Sequence, residues 1–302
     1  MKIPHIHIPI VRIPYSPQVE LYIKREDLIH PEISGNKYWK LFYNIQAYIA
    51  ENKATPMLIT FGGAYSNHIA AVAALGRDLG LPTAGIIRGE EVADLWADNP
   101  TLSKAHNDGM ELCFVSRTEY RDKEKLSRGF AERFPDALIL PEGGTNPLAV
   151  KGIRHMLDRR TKDFDYLCSA VGTGGTVAGL ATYAEEGQKV IGFKVVNDPD
   201  TETRILSFTG RKNFTLKEAW GRGYGKITDE LLRYTESFEE QYGVPLDPIY
   251  TGKMMMHLTA LIDRGYFPVG SRILAFHTGG LQGKAGIEAM LQKKKKSLIN
   301  LP

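Results

Sequence analysis

Two groups of residues have the types and spacing to do chemistry. The first is Gly172-Thr173-Gly174-Gly175-Thr176, which follows an apolar run at 166–171 and precedes a helical stretch at 177–186. Glycines let backbone N–H groups converge without Cβ interference, the helix start adds positive partial charge, and two hydroxyls can donate to the same oxygens. The design suits a phosphate. Taken alone, it suits equally a tight strand-to-helix turn that binds nothing. It lacks the Gly-Lys-Ser/Thr ending of a P-loop, and the third glycine of a dinucleotide fingerprint falls on Val177. The second group is Lys37 with Lys40. An amine at the first residues of a helix feels the positive end of the dipole, and Lys40 lies one turn away on the same face. Both effects favour the neutral amine, the nucleophile for a carbonyl. Without further context Lys37 is an ordinary lysine on a solvated helix start.

The surrounding elements must position these groups. Residues 1–33 are proline-punctuated, with one strand-like run at 19–24. Apolar positions 38, 41, 42, 45, 48 and 49 follow helical spacing, so a helix begins close to Lys37. Further strands are expected at 57–61, 83–87, 111–115, 137–140, 166–171, 190–196 and 273–276. Helices are expected at 69–79, 102–107, 119–133, up to 157, 177–186, 202–208, 229–242 and 253–264, with a last one after Gly280. Four turns share one design, strand then glycines then helix, at 62–68, 143–147, 172–176 and 279–280. Strand–helix alternation without hairpin signals predicts an α/β protein with two doubly wound, mainly parallel sheets. A smaller domain at 42–150 would be inserted between 1–41 and 151–302, which together form the larger. The ligand would lie in the interdomain cleft, outside the carboxyl ends of the strands.

Composition narrows the class. The chain has 302 residues, 43% hydrophobic and 24% charged, which fits a globular protein of two domains or one large α/β unit. A formal charge of +3 is too near neutral to imply a nucleic-acid partner, and the run Lys293 to Lys296 reads as a solvated tail. Cys113 and Cys168 lie in apolar runs and read as small core residues, so neither a disulfide framework nor metal-ligand spacing is present. No stretch approaches the roughly 18 consecutive apolar residues of a spanning helix. The expectation is a reduced, cytoplasmic enzyme with no membrane partner and no metal.

An amine for an aldehyde and a cradle for a phosphate describe pyridoxal 5'-phosphate. The order of motifs resembles that of fold-type-II pyridoxal-phosphate enzymes, whose architecture is tryptophan-synthase-β-like. They are Ser34-Gly-Asn-Lys37-x-x-Lys40-Leu41, Gly62-Gly-x-x-Ser66-Asn67-His68 and Gly172-Thr-Gly-Gly-Thr176. More narrowly, Asp247-Pro-Ile-Tyr250-Thr251-Gly-Lys253 and His277-Thr278-Gly-Gly280 are similar to the 1-aminocyclopropane-1-carboxylate deaminase and D-cysteine desulfhydrase family. Matches run from Arg25 to Gly280. The resemblance implies that Lys37 carries the Schiff base and then shuttles the α-proton, with Lys40 also at the cofactor. It implies that Asn67 bonds the cofactor's phenolic oxygen. Ser66 would hold the substrate carboxylate or act as a second proton-transfer group. Gly172, Thr173, Gly174, Gly175 and Thr176 would hold the phosphate. Tyr224 and Tyr250 match the family's two active-site tyrosines; without the family they are core tyrosines. His68 would stack near the ring or stay structural. A homodimer is implied too.

Two threonines indicate the branch. Thr278, at a strand end, would face the pyridine nitrogen, and a hydroxyl cannot hold that nitrogen protonated as a carboxylate does. The weaker electron sink suits β-elimination better than transamination. Where the deaminase branch resembles Tyr-Glu-Gly-Lys, this chain has Tyr250-Thr251-Gly252-Lys253, with Thr251 toward the substrate. Both threonines resemble the desulfhydrase branch, acting on D-cysteine or a related small amino acid to release sulfide, ammonia and pyruvate. The alternative is 1-aminocyclopropane-1-carboxylate deamination, and a racemase or β-replacement synthase could share the scaffold. A non-catalytic phosphometabolite-binding protein is the alternative of another class. The family's Gln, Arg-Gln and Arg are replaced here by Tyr65, Ala70-Ala71 and Trp39.

Overall fold

The computed structural model describes residues 6–221, 223, 226–281 and 284. Tyr224, the expected last helix and the lysine run at 293–296 lie outside them. In chain order the elements begin with β1 (Ile10–Ile13), β2 (Glu20–Lys24) and α1 (Asn36–Ala50). Next come β3 (Met57–Gly62), α2 (Asn67–Leu79), β4 (Thr83–Arg88), α3 (Pro100–Asn107), β5 (Met110–Val115), α4 (Lys123–Arg133) and β6 (Ala137–Leu140). The chain continues through α5 (Pro147–Ile153), β7 (Tyr166–Val171), α6 (Gly175–Tyr183), β8 (Lys189–Lys194) and α7 (Thr201–Thr209). It ends with β9 (Phe214–Glu218), α8 (Asp229–Tyr242), α9 (Thr251–Asp263) and β10 (Arg272–Phe276).

The chain divides into two units. The larger combines the residues up to Asn52 with Pro141–Gly279, and the smaller is built on Lys53–Leu140. The expected boundaries at 42 and 150 therefore move to 53 and 140. The reason is α1, which a cut at 42 would divide. Its Leu41, Phe42 and Ile45 are buried, and a Cβ on Gly152 of α5 would overlap the Trp39 carbonyl oxygen of α1. Both helices, packed closely at that point, fall whole in the larger unit.

The larger unit holds a six-stranded sheet in the order β1-β2-β10-β7-β8-β9. From β2 to β9 every neighbouring pair is parallel. β1 is the exception, paired antiparallel with β2, with Ile10 opposite Lys24 and Ile13 opposite Leu21. The sequence reading missed this hairpin, as it missed β9 at the other edge. Both are edge strands, and β1 is flanked by Pro9 and Pro14, which suit an edge. Chain direction across the sheet reverses between β7 and β10, because β8 and β9 lie on one side of β7 and β10 on the other. That is the switch point where α/β sheets open a crevice at the strands' carboxyl ends. All six residues of β7 are buried, Cys168 among them.

The smaller unit is a four-stranded parallel sheet in the order β5-β4-β3-β6. Its core is Ile59, Phe61, Ala84, Ile86 and Tyr120. α2 buries Ile69 to Leu75 without a gap, Ala70 and Ala71 included, so those alanines serve as packing. Cys113 in β5 is half-buried. Among the described residues no helix is long and apolar enough to cross a membrane, and no group of three or more His, Cys, Asp or Glu could hold a metal ion.

Candidate active site

In the larger unit the turns after β2, β7 and β10 emerge from carboxyl ends on both sides of the switch point. α1 supplies the chemistry to them through a polar stripe on its buried side. Asn36, Lys40 and Asn44 recur every four residues, and all are buried. Asn44 exchanges amide hydrogen bonds with Asn146, 2.7 and 3.2 Å long, which tie the helix to the 143–147 turn. Asn36 Nδ2 donates to Thr176 Oγ1 at 2.6 Å, and Lys37 Nζ donates to Asn36 Oδ1 at 3.2 Å.

Lys40 Nζ donates to Gly143 O and Thr145 Oγ1, each at 3.0 Å, while Thr145 Oγ1 lies 2.6 Å from Thr173 Oγ1. Two of the four glycine turns are thus joined by hydroxyls around one amine. A Cβ on Gly175 would sit 3.0 Å from Lys40 Nζ, so a side chain there would fill the space beside the amine. Lys40 is 2% exposed, and among the described residues its partners are neutral oxygens. Loss of hydration, and then the charge of Lys37, push its ammonium well below the usual lysine range. A buried cation without a counter-ion is costly, and an anion bound at the turn would relieve it.

Lys37 is the second unusual amine. Loss of hydration lowers it to about 8, partly offset by the Asp247 carboxylate. Desolvation is the main cause of this lowering. At neutral pH about one Lys37 amine in ten is then unprotonated, against fewer than one in a thousand for an ordinary lysine.

Asp247 organises the start of α9. It is 2% exposed and accepts from Ile249 N (3.0 Å), Tyr250 N (2.8 Å), Thr251 N (2.8 Å) and Thr251 Oγ1 (2.6 Å). This corrects the expected substrate contact of Thr251. Its hydroxyl proton is committed to Asp247 and its side chain is fully buried, so it braces the carboxylate instead. Tyr250 stands at the glycine turn, its Cε1 3.4 Å from where a Cβ on Gly172 would lie. Lys253 Nζ donates to Trp220 O and Gly223 O, fastening that turn to α9.

Thr278 follows β10 and is 7% exposed. Gly35 has φ 63°, open to glycine, and a Cβ there would overlap the Thr278 carbonyl oxygen. The loop before Lys37 and the turn holding Thr278 are therefore in direct backbone contact. The Arg25–Asp27 turn braces both. Glu26 O accepts from Gly35 N at 3.1 Å. Asp27 is gripped by both arms of Arg25 and lies 3.4 Å from His277 Nδ1.

Trp39 points away from these turns. Its indole N–H donates to Glu26 Oε2 at 2.9 Å, and its ring stacks on His155. Lys24 Nζ lies 3.3 Å from the other oxygen of Glu26. Burial raises this carboxyl, with Lys24 and the indole opposing. The residue at 39 thus serves a buried carboxyl group.

In the smaller unit Ser66, Asn67 and His68 open α2. Ser66 is the N-cap, its Oγ accepting from Ile69 N at 3.3 Å and keeping its own proton for another acceptor. His68 is 1% exposed. Tyr65 is hydrogen-bonded by Asn99, and burial raises its phenol.

Of the predicted residues, Lys37, Lys40, 172–176, Tyr250, Thr251 and Thr278 fall in the larger unit and Ser66, Asn67 and His68 in the smaller. Sequence reasoning gave no role to Asn36, Thr145 or Asp247. The signal for Asn36 was there, since polar residues recur every four positions along an otherwise apolar helix face.

The profile of a family described as "Pyridoxal-phosphate dependent enzyme" matches residues 4–279. The "Bifunctional D-cysteine desulfhydrase/1-aminocyclopropane-1-carboxylate deaminase, mitochondrial" of Arabidopsis thaliana is 31% identical, over 92% of this chain and 77% of the relative. The "1-aminocyclopropane-1-carboxylate deaminase" of Mesorhizobium japonicum is 30% identical over 87% of each chain. A crystal structure described as that of "the ACC deaminase homologue" superposes with a TM-score of 0.78 at 26% identity, covering 94% of this chain and 93% of its own.

Proposed function

Since the chain belongs to the family of pyridoxal-phosphate dependent enzymes, we propose that it is a lyase that takes ammonia and a β-leaving group from a small amino acid. D-cysteine, giving pyruvate, ammonia and sulfide, is the leading substrate. The observation that carries the reading is the pair of amines on α1. Lys37 is tuned to about 8 and tied through Asn36 to Thr176, one turn from a buried Lys40 whose partners among the described residues are neutral oxygens.

These residues fit the cofactor. Its phosphate would answer the charge of Lys40 and accept from Thr173, Thr176 and the amides at the start of α6. Its aldehyde would meet the Lys37 amine. When bound, it supplies a carbonyl for capturing amines and a ring that takes up the electron pair left by a departing α-proton. The rest is work for the chain. Lys37, as a free amine, is the base that takes the α-proton and holds it at Nζ. Asp247 steadies that charge and fixes Tyr250, whose hydroxyl is suited to give or take a proton at the leaving group. Thr278 would face the ring nitrogen, Asn67 the phenolic oxygen and Ser66 the substrate carboxylate, on the strength of the resemblance.

The brace between Thr251 and Asp247 supports the desulfhydrase branch. A glutamate at 251 would set a second carboxylate against a buried one. Deamination of 1-aminocyclopropane-1-carboxylate is the second reading, supported by the names of both curated relatives. A cytoplasmic location, on composition and cysteine usage, and a homodimer, on the resemblance alone, belong to the same proposal.

The purified protein should absorb in the visible, and borohydride should bleach it and add mass to the peptide holding Lys37. D-cysteine should yield sulfide and pyruvate faster than 1-aminocyclopropane-1-carboxylate yields 2-oxobutanoate. Borohydride mass on another lysine would refute the assignment of Lys37, and the reverse substrate preference would refute the branch.

A further inference from the structure

We propose that Asn36 is a positioning residue whose single side-chain amide holds the Lys37 amine and aims the Thr176 hydroxyl at the anion of the glycine turn. The inference rests on the reading of Lys37 and of 172–176 given above.

Asn36 is 6% exposed, so its amide must find partners within the protein. Oδ1 accepts from Lys37 Nζ at 3.2 Å and Nδ2 donates to Thr176 Oγ1 at 2.6 Å. The orientation is forced, because a lysine ammonium only donates and must face the amide oxygen. Thr176 therefore receives a hydrogen from Asn36, and its own hydrogen has to point elsewhere. Thr176 lies in the first turn of α6, next to Gly175, on the side where the helix N-terminus attracts negative charge. Hydrogen-bond polarity thus runs from amine to amide to hydroxyl to anion.

The relay depends on the state of Lys37. When the amine is engaged in a covalent bond, Asn36 loses its donor and the amide is released to turn over. Thr176 can then donate back to Asn36, and the anion loses a hydrogen bond. The grip on the phosphate is firmest when the amine is free, the one stage at which the cofactor has no covalent tether to the chain. The charged groups that also act within this amine pair are Asp247, which raises Lys37, and Lys40, which Lys37 lowers.

The test uses the full-length, cofactor-free chain with inorganic phosphate as probe. Asn36→Ala and Thr176→Val should each weaken phosphate binding about fivefold in calorimetry, and the double variant no further than the weaker single. Competitive acetylation of Lys37 across pH should place its midpoint near 8 in the native chain, below that in Asn36→Ala, and above it in Asn36→Asp. Should Asn36→Ala not fold, Asn36→Asp carries the test, since it keeps the acceptor for Lys37 and removes the donor to Thr176. Additive losses in the double variant, or a Lys37 midpoint indifferent to residue 36, would overturn the proposal. Phosphate binding unaffected by both Thr176→Val and Lys40→Met would instead overturn the anion-site reading itself.

Discussion

Lys37→Met should make the cofactor-free protein more stable while abolishing its chemistry. The fall of the amine from 10.5 to about 8 corresponds to about 3 kcal/mol held against the folded state. Below pH 8 the lysine is protonated both folded and unfolded, and the whole penalty applies. Between pH 8 and 10.5 the folded protein has shed the proton that the unfolded chain keeps, so stability rises with pH. Above 10.5 both states are neutral and the penalty is gone. Methionine fills a similar volume without a charge, but it leaves Asn36 Oδ1 short of the donor it has at 3.2 Å, a loss of about 1 kcal/mol. The variant should therefore exceed the native chain by about 2 kcal/mol at pH 7, and the advantage should vanish near pH 10. Urea denaturation of both proteins at the two pH values measures this, and the difference cancels the titration of every other group. Equal stability at pH 7, or an advantage that persists undiminished at pH 10, would refute the claim that a desolvated amine is stored at this position.

Gly152→Ala sets a methyl against the Trp39 carbonyl, and thermal melting should show a loss of about 3 kcal/mol or more. Trp39→Phe keeps an aromatic ring but leaves Glu26 Oε2 without its indole donor, which should cost about 1–3 kcal/mol in denaturant titration. Thr251→Val removes the 2.6 Å bond to Asp247 and loosens the start of α9, so steady-state kinetics should show a larger fall in kcat than rise in KM. Thr251→Glu should suppress sulfide release from D-cysteine; release that survives unchanged would undercut the branch assignment.

The parallel sheets were legible because strands covered on both faces are written as unbroken apolar runs. β7 at Tyr166–Val171, buried along its whole length, has the bounds that the sequence suggests. β1 and β9 were not legible. An edge strand needs apolar residues on fewer sides, and Phe214–Glu218 is in fact only half-buried or exposed along its length. At the candidate site the glycine turn and Lys37 could be read because their chemistry is local. Thr251 could not, since its partner is set by how the chain curls at 247–251 rather than by residue type. Position 39 lies beside two lysines in the chain, yet the helix turns it toward Glu26. Asn36, Lys40 and Asn44 could have been read together, because polar residues on a buried helix face require partners.

The contact between Gly35 and the Thr278 carbonyl has an evolutionary corollary. Positions more than two hundred residues apart share one space, so neither loop can acquire bulk unless the other retreats. Transplanting residues 277–280 from a relative would fail unless residues 26–35 travelled with them. Among relatives, these two segments should vary as a single heritable block.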